Sequence, residues 1–336
     1  MNKDISPSQF DFYEILEIRG ADYFTEQKKL YRSLKFGVEG EQKVLKYLQE
    51  YAPANWTVLQ NQWLRDFDRF ECDLIVLTEN QVYVLEVKHY QGMLIYENGR
   101  CFYNGQETSL NPFEQIRTTY INLNRLCAQV SSGIDMKAAV IFAGDDHEVI
   151  MKTALKDIRV VRRNGIRNFI LDIVQQEKHI HAEPINHAKL LRLFDSCGID
   201  NPYQPAPLSV TELKHIRSGI YCANCHSFNV QITKSSVICA CGLHQSREEA
   251  VVRAICDYGV LTYGQPLTLK ELHAFLDAQV SKTFLNKILQ KHFSFSHKSK
   301  QVHYINFNLP YSKIKNSFTF KQPTIFYHSD KNISVY

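Results

Sequence analysis

The sequence lacks the long hydrophobic run that a membrane-spanning helix requires, which is roughly 18 consecutive apolar residues. Its first residues also lack the basic and apolar stretches of a secretory signal, so we expect no signal peptide and a cytoplasmic chain. It contains no internal repeat and no low-complexity tract. With 44% hydrophobic and 22% charged residues, the composition excludes collagen-like and disordered classes and is typical of a globular protein of two or three domains.

The small net charge of +4 conceals two regions of opposite sign. Residues 1–200 hold 24 Lys and Arg against 28 Asp and Glu, a net charge of −4. Residues 201–336 hold 15 against 7, a net charge of +8, together with 8 of the 13 His. Such a basic region indicates either a module that binds a polyanion or a solvated basic surface, and charge alone does not decide between them.

The composition and pattern divide the chain into successive regions. Mixed helices and strands after the first 35 residues predict one α/β domain, and a Pro-rich stretch follows it. We predict a helical extension at 1–35, the α/β domain at 36–200, a linker at 201–215, a zinc-ribbon-like module at 216–247, a winged-helix-like α+β module at 248–308 and a basic tail at 309–336. Within the α/β domain we predict helices at 38–51, 112–127 and 186–196 and strands at 73–78, 82–88, 138–143, 158–161 and 169–174.

The stretch from Asp73 to Lys88 predicts a hairpin that brings two carboxylates together. Two β-branched runs flank Glu79 and Asn80, which are typical of a short turn. A turn centred there places Asp73 opposite Glu86, with Lys88 on the same face, whereas a three-residue loop would break this register. Opposed like charges destabilise a sheet unless a cation such as Mg²⁺ compensates them. The same register pairs Leu77 with Val82 and Ile75 with Val84.

A third acid is predicted on the preceding helix. Positions 37, 41, 44, 48 and 51 form one helical stripe, and Val44 and Leu48 make that stripe apolar. Glu41 is therefore expected to point inward, where a carboxylate needs a partner or a metal. The alternative is a glutamate at the edge of the stripe that extends to solvent.

These residues lie within four short motifs that occur in order along the chain. The motifs are Gly37-x-x-Gly40-Glu41-x-x-Val44-x-x-x-Leu48, Glu71-Cys72-Asp73, Glu86-Val87-Lys88-x-Tyr90-x-Gly92 and Asn111-Pro112-x-x-Gln115. The layout is similar to the restriction-endonuclease-like core of PD-(D/E)xK nucleases. Over roughly residues 36–150 the motifs resemble the nuclease-related domain, NERD.

The resemblance implies a mixed-sheet core with a metal-dependent phosphodiesterase site. Asp73 and Glu86 would ligate Mg²⁺ or Mn²⁺, helped by the Val87 carbonyl. Lys88 would orient or deprotonate the attacking water, and Glu41 and Gln115 would complete the site. A retained but inactive fold is the alternative.

A cysteine cluster predicts a metal site of a second kind. Nine cysteines without a secretory signal argue against a disulfide framework. A Cys-x-x-Cys and a Cys-x-Cys separated by thirteen residues predict a structural Zn²⁺ site, whose metal would supply the folding energy of a module with little core. Its ligands would be Cys222, Cys225, Cys239 and Cys241. The tight second pair leaves His226 or His244 as substitute ligands, and a redox Cys-x-x-Cys is a lesser alternative.

Three helical patterns at 248–258, 268–276 and 281–292 and two strand-like runs at 293–297 and 302–307 resemble a winged helix-turn-helix. Polar and basic residues on the third helix and lysines at the wing tip predict contacts to DNA. The predicted contact residues are Lys282, Asn286, Lys287, Gln290, Lys291, Lys298 and Lys300. A winged helix used for protein contacts is the alternative.

We therefore hypothesise a Mg²⁺-dependent deoxyribonuclease that a zinc ribbon and a winged helix deliver to DNA. One alternative is a catalytically inactive nucleic-acid-binding or regulatory protein. Another is a nuclease subunit recruited to a helicase partner, because the chain has no Gly-x-x-x-x-Gly-Lys-Ser/Thr loop of its own. No pattern predicts a membrane partner or an oligomeric state.

Overall fold

The computed structural model describes residues 7–131, 133–181, 183–296, 303–315 and 333–335. The chain divides into two compact units, one comprising Met1–Arg32 with Tyr203–Tyr327 and the other Ser33–Pro202 with His328–Tyr336. Among the described residues, no helix combines the length and apolar character that a membrane crossing needs.

The helices and strands are numbered in chain order. The helices are α1 Gln9–Arg19, α2 Thr25–Tyr51, α3 Pro112–Ala128, α4 Ile166–Glu177, α5 His187–Cys197, α6 Arg247–Leu261, α7 Leu269–Phe275, α8 Lys282–His292 and α9 Tyr311–Ile314. The strands are β1 Thr57–Arg65, β2 Arg69–Leu77, β3 Gln81–Lys88, β4 Gly92–Glu97, β5 Arg100–Tyr103, β6 Gln106–Thr108, β7 Asp135–Phe142, β8 His147–Met151, β9 Arg159–Arg162, β10 Val230–Ile232, β11 Ser236–Cys239, β12 His244–Ser246, β13 Phe295–Ser296, β14 His303–Tyr304 and β15 Ile333–Val335.

A mixed sheet forms the centre of the unit that contains residues 33–202. Its strand order is β15-β1-β2-β3-β7-β9, antiparallel from β15 to β3 and parallel from β3 to β9. Alternate residues of β3 enter two different hydrophobic cores, since Val82 and Val84 pack with α3 and Tyr83 and Leu85 pack with α2 and α4. Helices therefore cover both faces of the sheet, which confirms the predicted α/β class with a mixed sheet.

The β2–β3 hairpin has the predicted register. Leu77 pairs with Val82 and Ile75 with Val84 across the turn that contains Glu79 and Asn80. The turn is closed because the backbone N–H of Thr78 donates to the carbonyl of Gln81 at 3.0 Å. A second sheet, β6-β5-β4-β8, extends this unit.

The predicted strand at 169–174 is wrong, because these residues lie in α4. The buried residues of α4 are Ile166, Phe169, Ile170 and Ile173, which is the i, i+3, i+4, i+7 spacing of a helix face. The apolar and β-branched residues of this run suggested a strand, but their burial along a single stripe is that of a helix. The helix predicted to start at residue 38 begins at Thr25, and the strands β1, β4, β5, β6 and β8 were not predicted.

The other unit combines the N-terminal helix with the C-terminal region. Phe12, Ile15 and Leu16 of α1 belong to the same hydrophobic core as Val237 of β11 and Ile255 of α6. The sheet β10-β11-β12 precedes α6, α7 and α8, and a short β13–β14 hairpin follows them. Residues 9–19, which we expected in a separate extension, therefore contribute to this core.

Candidate active site and metal-ligand clusters

Asp73, Glu86 and Lys88 meet at the end of the central hairpin. The last paired residues of β2 and β3 in this direction are Leu74 and Leu85, and Asp73 lies one residue beyond them. The Asp73 Oδ2 accepts a hydrogen bond from the Val87 backbone N–H at 2.8 Å. This bond fixes the Asp73 carboxylate next to the backbone between Glu86 and Lys88.

Lys88 links this strand end to α3. Its Nζ lies 2.6 Å from Glu86 Oε1 and donates to Gln115 Oε1 at 3.0 Å. Asn111 caps α3 by accepting from the backbone N–H groups of Phe113 and Glu114, and Pro112 begins the helix. Gln115 is thereby presented to Lys88 from the first turn of the helix.

The Glu86 carboxylate is suited to a cation. Glu86 is 1% exposed, and its Oε1 has no hydrogen bond of good geometry although the Lys88 ammonium lies 2.6 Å away. A buried carboxylate oxygen with incomplete hydrogen bonding is energetically costly. Carboxylate oxygens are the donors that Mg²⁺ and Mn²⁺ prefer, so Asp73 and Glu86 fit such an ion.

The carboxyl groups of this region oppose one another's ionisation. Burial and the Asp73 charge raise the pKa of Glu86 to about 8, although Lys88 acts against this increase. Burial likewise raises the pKa of Asp73 above its usual range. Burial, with Asp73 as the strongest charged neighbour, raises the pKa of Glu41 to about 8. A divalent cation would favour the ionised form of each group.

Glu41 is half-buried on α2, and the charges of Asp73 and Glu86 both raise its pKa. Its side chain also hydrogen bonds to Asn61, a residue that we did not predict. Asn61 has a φ of 50° and lies opposite Asp73 in the β1–β2 register, where strand pairing is interrupted between Gln60 and Gln62. Asparagine adopts this left-handed conformation more readily than most residues, but no sequence pattern marked the position.

Glu71 is a further acid of the cluster to which we had assigned no role. It pairs with Trp63 across β1 and β2, and the Trp63 side chain hydrogen bonds to it. Burial and the charge of Asp73 raise the pKa of Glu71 to about 7. Glu71 and Asp73 are two residues apart on one strand, so both acids lie on the same face of β2.

These pKa values predict how stability without divalent cations depends on pH. The folded state retains protons on Glu41, Glu71 and Glu86 at pH values where the unfolded chain, with pKa values near 4.5, has released them. Their contribution to stability is therefore complete below about pH 4.5 and is lost as the pH rises to about 8.

Glu71→Gln removes one such group, so its free energy of unfolding relative to that of the wild type should increase by about 2–3 kcal/mol between pH 5 and pH 8. Chemical denaturation at pH 5 and pH 8, without added cations, measures this difference. Glu39→Gln, an exposed position of the same helix as Glu41, is the control. A Glu71→Gln difference that is independent of pH would contradict the prediction.

The four predicted cysteines form a compact cluster. Their sulfur atoms all lie within 4.8 Å of one another, with Cys222–Cys241 and Cys225–Cys239 Sγ distances of 3.5 Å. In a tetrahedral Zn²⁺ site with Zn–S bonds of about 2.3 Å, neighbouring sulfur ligands lie about 3.8 Å apart. The two sulfur atoms of a disulfide lie about 2.05 Å apart. The cluster could therefore bind zinc. Among the described residues, this is the only group of three or more His, Cys, Asp or Glu side chains whose ligand atoms lie this close together.

The two cysteines of the second pair differ in acidity. Although a backbone hydrogen bond at Cys241 acts against it, burial and hydrogen bonds to the other three cysteines raise the pKa of Cys239 to about 12. The Leu243 backbone N–H and the Asn224 side-chain amide lower the pKa of Cys241 to about 6. Gly242 has a φ of +90°, which allows the tight turn that brings Cys239 and Cys241 together. His226 packs edge-on against Tyr221, and His244 is exposed on β12, so neither belongs to the set.

The α8 residues predicted to contact DNA divide into two groups. Lys282, Lys287 and Gln290 are exposed. Asn286 accepts a hydrogen bond from the Tyr304 hydroxyl at 3.0 Å, and the Lys291 Nζ lies 2.6 Å from Glu248 Oε1. Lys298 and Lys300 of the predicted wing tip lie outside the described residues.

Comparison with known proteins identifies one part of the chain. The family model described as NERD, nuclease-related domain, matches residues 36–143. No curated protein and no solved structure matches the chain. The chain therefore contains a nuclease-related domain, as the motifs indicated, and this domain includes Glu41, Asp73, Glu86, Lys88 and Gln115.

Proposed function

We propose that this protein is a Mg²⁺- or Mn²⁺-dependent nuclease that hydrolyses phosphodiester bonds in DNA. The observation that supports this most strongly is the buried Glu86, whose incompletely hydrogen-bonded carboxylate lies beside Asp73 and Lys88 within the nuclease-related domain. In this proposal residues 36–200 form the catalytic domain, and residues 216–247 and 248–308 form a zinc ribbon and a winged helix that bind DNA.

Asp73 and Glu86 would hold the cation, with the Val87 carbonyl beside them. When bound, the cation would withdraw charge from the scissile phosphate and acidify water. The charges of Asp73 and Glu86 raise the pKa of Glu41, and a bound cation would favour its ionised form, which would add negative charge on the α2 side of the site. Asn61 holds the Glu41 side chain through its hydrogen bond.

Lys88 would act as a fixed positive charge. Burial lowers the pKa of Lys88, but the Glu86 carboxylate and other neighbouring groups raise it by a larger amount. The pKa of Lys88 therefore lies above its ordinary value. A protonated ammonium donates hydrogen bonds to water and phosphate and stabilises negative charge that develops in the transition state. Gln115 accepts from the Lys88 Nζ and so restricts where the ammonium can lie.

Lys88→Ala should reduce cleavage about 100- to 1000-fold, as expected when a preorganised donor to developing negative charge is removed. The measurement is cleavage of linear, circular and single-stranded DNA, and of matched RNA, with Mg²⁺ or Mn²⁺ and with EDTA. Lys137→Ala, which removes an exposed lysine of β7, is the control. Activity that survives EDTA or Lys88→Ala would refute the mechanism, and DNA binding without cleavage would favour the inactive alternative.

The exposed lysines of α8 should contribute electrostatic affinity for DNA. Lys282→Gln with Lys287→Gln should weaken binding to all sequences and reduce the slope of log K against log salt by about 2, or 0.9 per lost phosphate contact. Lys270→Gln, at an exposed position of α7, is the matched control. An unchanged salt slope would show that α8 does not bind DNA. We propose no helicase partner, because no observation favours one.

A further inference from the structure

A polar stripe on α3 leads away from the candidate active site. Its residues follow the 3-4-3-4 spacing that places side chains on one side of a helix. They are Gln115, Thr118, Asn122, Arg125 and Gln129, of which Asn122 is half-buried and the others are exposed. The stripe contains no carboxylate, and its first residue is the hydrogen-bond partner of Lys88.

The far end of the stripe holds the tip of the β1–β2 hairpin. The Arg125 Nε donates to Asp66 Oδ2 at 2.5 Å, and the Gln129 side-chain amide donates to Asp66 Oδ1 at 3.2 Å. Arg125 also donates to Asn122 Oδ1 at 3.1 Å. The tip is therefore held against α3 by hydrogen bonds that neutralise Asp66.

Phe67 is the aromatic residue that this tip presents. Its side chain is 82% exposed, and the Arg125 guanidinium carbon lies 4.9 Å from its ring centroid. Phe67 therefore does not serve to fill a hydrophobic core. Its exposure to water is unfavourable, and core packing does not account for a phenylalanine at this position. Arg65 ends β1 and Arg69 begins β2, so with Arg125 of α3 three arginines lie around Asp66 and Asp68 of the tip.

We propose that the α3 stripe binds one strand of the DNA substrate as it leaves the active site, and that Phe67 stacks on an unpaired base of that strand. Gln115 and Asn122 use their amide oxygens in the contacts above, and Arg125 uses Nε and one Nη. The amide N–H groups of Gln115 and Asn122 and the other guanidinium N–H groups of Arg125 can therefore donate hydrogen bonds to phosphate and sugar oxygens. An exposed aromatic ring beside an arginine provides a stacking surface for a base. The inference rests on the proposed nuclease function and adds a preference for an unpaired strand.

The geometry of α3 sets the distance between the two sites. Gln115 and Arg125 are separated along the helix by about 15 Å, at 1.5 Å per residue. At the stacked rise of about 3.4 Å per nucleotide this distance corresponds to roughly four nucleotides, and a more extended single strand covers it with fewer. Phe67 would therefore contact a base within about four positions of the phosphate that lies at Lys88.

Phe67→Ala tests the stacking contact directly, and its high exposure makes a folding defect unexpected. We expect the full-length variant to bind a single strand of about 12 nucleotides about tenfold more weakly than the wild type, because stacking on an aromatic ring contributes strongly for each base. An abasic strand of the same length should bind both proteins equally. Fluorescence anisotropy, without added Mg²⁺ or Mn²⁺, measures both affinities.

Ile121→Ala is the matched control, because it removes a 59% exposed apolar side chain of α3 outside the stripe. Phe67→Trp should retain the preference for the base-containing strand. Equal affinities of the wild type and Phe67→Ala for that strand would overturn the inference, as would an equal loss on both strands or failure of the wild type to bind.

Cleavage separates this inference from the proposed function. In a series of substrates with one abasic site placed one to four nucleotides from the cut bond, the wild type should lose efficiency at one position within about four nucleotides, and Phe67→Ala should not. Phe67-dependent binding without cleavage would support the inference and refute the nuclease proposal. Cleavage without any dependence on Phe67 would refute the inference alone.

Discussion

Arg19→Ala is expected to destabilise the unit that contains residues 203–315 by about 3–5 kcal/mol, because it leaves a buried carboxylate without its partner. The side chains of Arg19 and Asp257 are 0% and 4% exposed, and the Arg19 Nε lies 2.7 Å from Asp257 Oδ2. The Arg19 guanidinium also donates to the backbone carbonyls of Arg217 and Gly219. Removing the Arg19 guanidinium would leave these three acceptors without its hydrogen bonds.

The position of Arg19 extends the effect to the cysteine cluster. Its guanidinium carbon lies 4.8 Å from the ring of Tyr221, which immediately precedes Cys222, and 5.5 Å from the ring of Phe228. Loss of Arg19 should therefore loosen the first cysteine loop and weaken zinc binding. Arg19→Lys should recover only part of the loss, because an ammonium cannot reproduce the planar guanidinium fork.

Hydrogen exchange of the α6 amides, together with zinc competition by a chromogenic chelator, would measure the effect in this unit separately from the other. Arg32→Ala is a suitable control, because Arg32 makes an exposed ion pair with Glu17 that is expected to contribute less than about 1 kcal/mol. If Arg19→Ala and Arg32→Ala had equal effects, Arg19 would have no special structural role.

Zinc removal is expected to have the other large effect. We expect about one zinc ion per chain, and apparent binding energies of structural Zn²⁺ of about 10–16 kcal/mol would then be coupled to folding of the ribbon. Strands β10, β11 and β12 have three, four and three residues, so the metal would have to compensate for a small sheet.

Cys222→Ser with Cys225→Ser should abolish zinc binding in elemental analysis and remove hydrogen-exchange protection from residues 220–246. Cys197→Ser, which lies outside the cluster, should retain both the metal and the protection. A native protein without zinc, or unchanged protection in the double variant, would rule out a structural zinc site.

Several features of the nuclease-related domain could be predicted because local patterns specify them. The β-branched runs around Glu79 and Asn80 specify both the hairpin and its register. Asn111 with Pro112 was sufficient to predict the start of α3, whereas the inward direction of Glu41 stays a prediction. The α4 prediction failed because a short β-branched run is compatible with either a strand or a helix until its burial is known.

The sequence by itself determined the order of the motifs, the register of the hairpin and the spacing of the four cysteines, since each depends on residues close together in the chain. Only the tertiary structure decided that Asn61 contacts Glu41, that Phe67 is held beside Arg125, and that α1 belongs to the C-terminal core. Arg19 and Asp257 are separated by 238 positions. No local periodicity encodes such a contact, because packing and burial of the folded chain create it.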